Sequence, residues 1–134
     1  MNKKDLSKYY YITLEIRDLE ERIQEVQSTI IGSSKLTGMP HGTKKSDPVN
    51  KTAELLVTLK NKLEKRKAEA MVKLIQIEEY ISEIEDSEVR LIFSKRYIEL
   101  KKWEQIADEL YMSLSTVHRK HSNYLERNKH DRKS

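Results

Sequence analysis

The chain has 134 residues, 37% hydrophobic and 36% charged, with a net charge of +4 and no cysteine. Against usual shares of about 45–50% apolar and about 25% charged, this leaves room for narrow apolar seams and excludes two sizeable cores. Without cysteine there is no disulfide scaffold, thiolate zinc site or cysteine nucleophile. No run reaches the roughly 18–20 apolar residues of a membrane span, and no apolar core follows Met1-Asn2-Lys3-Lys4-Asp5, so a soluble cytoplasmic protein is expected.

In chain order, Tyr9, Ile12, Ile16, Leu19, Ile23, Val26 and Ile30 recur at alternating steps of 3 and 4. That is the a/d stripe of a coiled coil and predicts a first long helix. Glu15, Arg17, Asp18, Glu20, Glu21, Arg22 and Glu25 between them form its solvated face. All three glycines and both prolines fall within residues 32–48, so a loop over 32–47 is expected and everything else can be helical. Asp47 as N-cap and Pro48 at the first helical position predict that a second helix starts at Pro48. It continues to Ile84 through Leu56, Leu59, Leu63, Arg66, Ala70, Leu74, Ile77 and Ile81, with two successive steps of four at Ala70 that read as a stutter.

An antiparallel hairpin over residues 1–85 follows. One narrow stripe per helix makes little core, so the Tyr9 to Ile30 stripe is the expected self-association surface. A homodimer is the favoured state, two-fold closure being commonest. Tyr10 and Tyr11 belong to the seam or to such an interface, and Lys3, Lys4 and Lys8 to solvent.

Residues 87–134 carry the whole charge excess, 11 Lys/Arg against 7 Asp/Glu, where residues 1–86 are balanced at 15 each. A third helix capped by Asp86 or Ser87 would place Val89, Ile92, Phe93, Tyr97 and Leu100 on one face. A fourth runs over Trp103–Leu110 with Trp103 in the core, and a fifth follows Ser113 as its cap. Ile106 and Leu110 facing inward, small Ala107 at the crossing and Val117 as anchor give the layout of a helix-turn-helix.

The run Ile106-Ala107-Asp108-Glu109-Leu110, followed by Ser113-Leu-Ser-Thr-Val117 and Arg119, resembles the DNA-binding helix-turn-helix of sigma-factor region four and related response-regulator domains. With the long hairpin and the stretch from Gly38-Met39-Pro40-His41-Gly42 to Ser46-Asp47-Pro48, the chain resembles small phage transcriptional regulators of the RinA/ArpU type. The resemblance implies binding to double-stranded DNA, activation of late genes, contact with the host RNA polymerase and residence in a bacterial cytoplasm. The sequence departs from the pattern at Tyr111, where such turns have glycine and a left-handed residue costs roughly 1–2 kcal/mol. It departs again at His121, where an apolar residue is usual and a partly buried histidine with one hydrogen bond is expected.

With Leu114, Val117, His121, Tyr124 and Leu125 turned inward, Ser115, Thr116, His118, Arg119 and Ser122 are the base-edge candidates. Arg119 leads because its fork matches guanine O6 and N7. Lys101, Lys102, Ser113, Lys120, Arg127 and Lys129 are the phosphate candidates. No catalytic set, metal-binding pair or phosphate-cradling glycine loop is present, so no enzyme, metal or cofactor is expected. Two alternatives compete: a DNA-packaging recognition protein like a small terminase subunit, whose DNA-binding part usually comes first, and a helical protein adaptor, which gives no reason for the basic C-terminal third.

Overall fold

In a computed structural model, the backbone of residues 1–35 and 46–133 and the side chains of residues 1–30 and 50–129 are described. Every element among them is helical: α1 (Lys3–Lys35), α2 (Ser46–Ser82), α3 (Ser87–Phe93), a π-helical turn (Ser94–Ile98), α4 (Trp103–Glu109) and α5 (Leu114–Lys133). The all-α architecture, long helices first and short ones after, is the one expected. α1 runs through Gly32 to Lys35 and α2 begins at Ser46, two residues ahead of Pro48. The centre of the expected loop, residues 36–45, and the side chains of Asp47 and Pro48 lie outside the described residues.

Local chemistry sets the helix ends. α1 opens with a reciprocal cap: the Asp5 N–H donates to Asn2 Oδ1 (2.8 Å) and the Asn2 N–H to Asp5 Oδ2 (3.4 Å). Lys8, hydrogen-bonded to the Asp5 carboxylate, is the main cause holding that carboxyl below its ordinary range. α3 opens at Asp86, whose carboxylate accepts from the N–H groups of Glu88 (2.8 Å) and Val89 (3.4 Å), as expected. The helix then widens, the Glu99 N–H reaching back five residues to the Ser94 carbonyl at 3.0 Å. It stops at Leu100, which is left-handed with φ 60°. Leu100 is therefore not the last residue of an apolar helix face, as its spacing suggested, but the reversal before α4.

The chain divides into two compact units, residues 12–69 and residues 1–11 with 70–134. In the first, α1 and α2 pair antiparallel: Leu19, Ile23 and Leu59 are buried with Val26, Leu56 and Leu63 against them. Glu15 accepts from Arg66 Nε at 2.7 Å, with Glu69 3.1 Å from the same guanidinium. The second unit, here called the head, has two apolar clusters. One joins Leu6 of α1, Ile77 and Ile81 at the end of α2 and Ile84 just beyond it to Val89, Phe93 and Tyr97, with Tyr9, Tyr80, Tyr124 and Leu125 packed on it. The other joins Ile92, Ile106, Ala107 and Val117, with Trp103, Leu110 and Met112 around them.

Two features of the packing bear on the expected organisation. The expected boundary at 85/86 does not coincide with the units, which divide at 11/12 and at 69/70, where the stutter was read. Three short helices offer too little apolar surface to close a core, and the first turns of α1 with the last third of α2 complete it. The stripe assigned to self-association is occupied within the chain: Leu19 and Ile23 by α2, Tyr9 by the head core, leaving Ile12, Ile16, Val26 and Ile30 half-buried.

Phe93, fully buried at the centre of the aromatic group Tyr80, Tyr97, His121 and Tyr124, is the residue on which the head closes. Phe93→Ala should cost about 3–5 kcal/mol, as the cavity cannot collapse among rings held by several helices. Val57→Ala, at a site 59% exposed, should change stability by less than about 0.5 kcal/mol. Urea unfolding followed by circular dichroism measures both.

Candidate nucleic-acid interface

The turn between α4 and α5 is built as the sequence suggested. Tyr111 is left-handed, with φ 56°. The Met112 N–H bonds the Ala107 carbonyl (3.0 Å) and the Tyr111 N–H the Asp108 carbonyl (3.3 Å), the pair of bonds that closes a Schellman end. Tyrosine thus holds the conformation that glycine usually supplies, with its ring 96% exposed. Ser113 Oγ then accepts the Thr116 N–H (3.2 Å) and caps α5. Val117 and His121 are buried on the inner side of α5, while Ser115, His118, Arg119 and Ser122 are exposed on the outer side.

His121 is 3% exposed and sits where the two head clusters meet. Its Nε2 shares a 2.5 Å hydrogen bond with the Tyr97 hydroxyl, and its ring lies 4.9 Å from that of Phe93 and 4.8 Å from that of Trp103. Burial, followed by the charges of Lys3, His118 and Arg96, pushes the imidazole down to about 4, so it is neutral in the cell's pH range. Burial likewise pushes the Tyr97 phenol up to about 12. The expected single hydrogen bond is there, with burial deeper than expected. Trp103 packs on the second core cluster, with the Arg96 guanidinium 4.6 Å above its ring and the His118 ring 4.8 Å away.

The structure separates the candidates. Of the five base-edge residues, Thr116 is half-buried, its hydroxyl 2.7 Å from that of Ser113, and His118 rests against Trp103; Ser115 is exposed with its hydroxyl 3.2 Å from that of Ser113, and Arg119 and Ser122 are exposed on the surface. Among the phosphate candidates, Lys101 is paired with Glu109 (2.6 Å) and Glu99 (3.3 Å), and Lys120 with Glu88. The Lys101–Glu109 hydrogen bond is the main cause raising the lysine and lowering the carboxyl. These two lysines carry intrachain ion pairs that a phosphate contact would have to exchange, and the Ser113 hydroxyl caps α5. Lys102, Arg127 and Lys129 are exposed and form no ion pair among the described residues.

Leu114, expected inward, is 39% exposed, because the first residue of α5 lies beyond the reach of the head core. Sequence reading missed Arg96, which donates to the Lys101 carbonyl (3.0 Å) besides covering Trp103. Only its nearness to the aromatic run could have pointed to it. No group of three or more His, Cys, Asp or Glu side chains suited to a metal occurs among the described residues, and none of their helices is long and apolar enough to cross a membrane.

Residues 25–127 match the model of a family described as proteins of unknown function, DUF1492, and the chain belongs to that family. No curated protein and no solved structure matches it.

Two outcomes follow from this geometry. Replacing Tyr111 with Gly should stabilise by about 0.5–1 kcal/mol, the left-handed penalty relieved exceeding the added chain entropy; thermal unfolding reads it. His121 is lowered in the folded chain, so between pH 6.5 and about 4 the unfolded chain binds the extra proton. Its stabilising neutrality is complete above pH 6.5 and fades as the pH falls to about 4, by on the order of 2–4 kcal/mol. His121→Leu should remove that part of the acid sensitivity in urea titrations at pH 7, 5.5 and 4.

Proposed function

We propose that the chain is a sequence-specific double-stranded DNA-binding transcriptional regulator, with α5 as the helix that enters the major groove. The observation that carries this reading is the two-sided character of α5. Val117 and His121 lock one side into the head, while Ser115, His118, Arg119 and Ser122 stand on the other, behind a Schellman turn and a serine cap. A helix presented in that way offers hydrogen-bonding side chains to base edges at its N-terminal half. Lys102, Arg127 and Lys129 supply phosphate contacts around it. The basic excess of the last third supports the same reading.

Likeness to regulators of the RinA/ArpU type extends the proposal to a phage-encoded activator of late genes that contacts the host RNA polymerase. The exposed Tyr111 and Leu114, beside the turn, suit a protein partner as well as DNA, which keeps the adaptor reading as the second one. Self-association as a dimer is proposed for the outer side of α2, where Met71, Val72 and Ile75 are each more than half exposed, rather than for the occupied seam.

Selection of bound duplexes from a random pool is the test, followed by two substitutions. Arg119→Ala should cost about 1–3 kcal/mol on the selected site and relax discrimination at one base pair. Lys129→Ala should weaken all sequences alike and lower the salt slope by about one ion. Equal loss on every sequence for Arg119→Ala would make Arg119 a phosphate contact, and recovery of no motif would favour the adaptor.

A further inference from the structure

On the head, α1 and the segment before α4 enclose a cleft of about 240 Å³ lined by Ser7, Tyr10, Tyr11, Arg96, Leu100 and Lys102, with Tyr97 beneath. Its charge is one-sided: among the lining residues are two cations and no carboxylate. A second, larger cleft on the head differs, setting Glu83, Glu85 and Asp86 against Lys120 and Arg127. Left-handed Leu100 makes the reversal between the two cationic positions. The Lys101 N–H bonds back to the Lys95 carbonyl (3.0 Å), and Arg96 bonds the Lys101 carbonyl (3.0 Å), which fixes the guanidinium beside Lys102. One of its five N–H donors is used there, leaving others for a ligand. Tyr10 and Tyr11, edge to face with ring centres 5.4 Å apart, form the α1 wall.

We propose that this cleft seats a backbone phosphate of bound duplex DNA, so that the N-terminal helix, not only the helix-turn-helix, takes part in binding. The inference rests on the reading of α5 as a DNA-binding helix and extends it. Trp103 makes the connection: it carries the Arg96 guanidinium 4.6 Å and the His118 ring 4.8 Å from its own ring. The cationic cleft and the outward side of α5 are therefore neighbours across one indole. A duplex bears a negative charge per about 1.7 Å of its axis, so a strand engaged by α5 brings phosphates past the cleft. Arg96 and Lys102 supply charge and donors, and the tyrosines supply a rigid wall with hydroxyl groups.

The test uses the full chain, the duplex selected from the random pool and fluorescence anisotropy across a salt series, with Lys102→Ala, Tyr11→Ala and Arg119→Ala in parallel. Tyr11 is 61% exposed, so its loss leaves the fold intact, as circular dichroism verifies. Lys102→Ala should weaken binding about five-fold and lower the salt slope by about one. Tyr11→Ala should weaken it about two-fold with the slope unchanged, since no charge is removed. Loss with Lys102→Ala alone would make Lys102 an isolated contact and overturn the part given to α1. Wild-type binding by both cleft variants, with Arg119→Ala still impaired, would overturn the cleft and leave the reading of α5 standing. Inorganic phosphate is titrated against the free protein by NMR. A response at the Tyr11 and Lys102 amides in a protein that binds no duplex would assign the cleft to a free anion and overturn both DNA readings.

Discussion

A neutral imidazole at the junction of two apolar clusters is the constraint on which the head depends. His121 touches Phe93 and Tyr97 on one side and Trp103 on the other, and the Tyr97 hydroxyl satisfies its Nε2. A charged ring there would face Lys3, His118 and Arg96 with no carboxylate among the groups that act on it. Burial therefore selects the neutral form, and the neutral form allows the burial. Because His121 lies one turn after Val117, the two fix the rotation of α5 about its own axis. That rotation decides which side chains reach solvent, and so turns a packing requirement in the core into a choice of surface residues.

The head is assembled from both ends of the chain. Leu6, in the first turn of α1, is as fully buried as Phe93, and Ile77, Ile81 and Ile84 close the same core. The α4–α5 pair is therefore supported by residues far away in sequence, and changes near the N-terminus reach α5 through Phe93 and Tyr97. Asn128 adds a polar tie, its amide 2.6 Å from the Tyr80 hydroxyl of α2. In the same way, proposing that the α1 tyrosines share a DNA contact adds a function to residues that the fold already holds in the head.

Local signals in the sequence were legible where one or two residues decide the outcome. Asp86 and Ser113 are caps, Tyr111 holds the left-handed turn, and Val117 and His121 face inward. The long seam was readable too, since a 3-4 spacing over seven residues has no other regular reading. What failed depended on distant partners. Periodicity marks an apolar stripe and predicts the hairpin, but it does not say how much of the stripe Leu59 and its neighbours on α2 cover. The ends of α1 and α2 were not recognised as walls of the head, because nothing within residues 86–134 says that their own apolar surface is insufficient. The acidic partners of Lys101 and Lys120 are not visible locally, because Glu109 and Glu88 lie 8 and 32 residues away. The π turn, which shifts the register before Leu100, has no local signature that propensity records.

The central claim is that the side of α5 left free by His121 and Val117 reads DNA. Mapping the amide shifts of the isotopically labelled full chain on addition of its selected duplex tests this most directly. The account requires the largest changes at Ser115, His118, Arg119 and Ser122, with Val57 and the 12–69 unit unmoved. Saturable binding that leaves α5 unshifted while Met71, Val72 and Ile75 respond would contradict it.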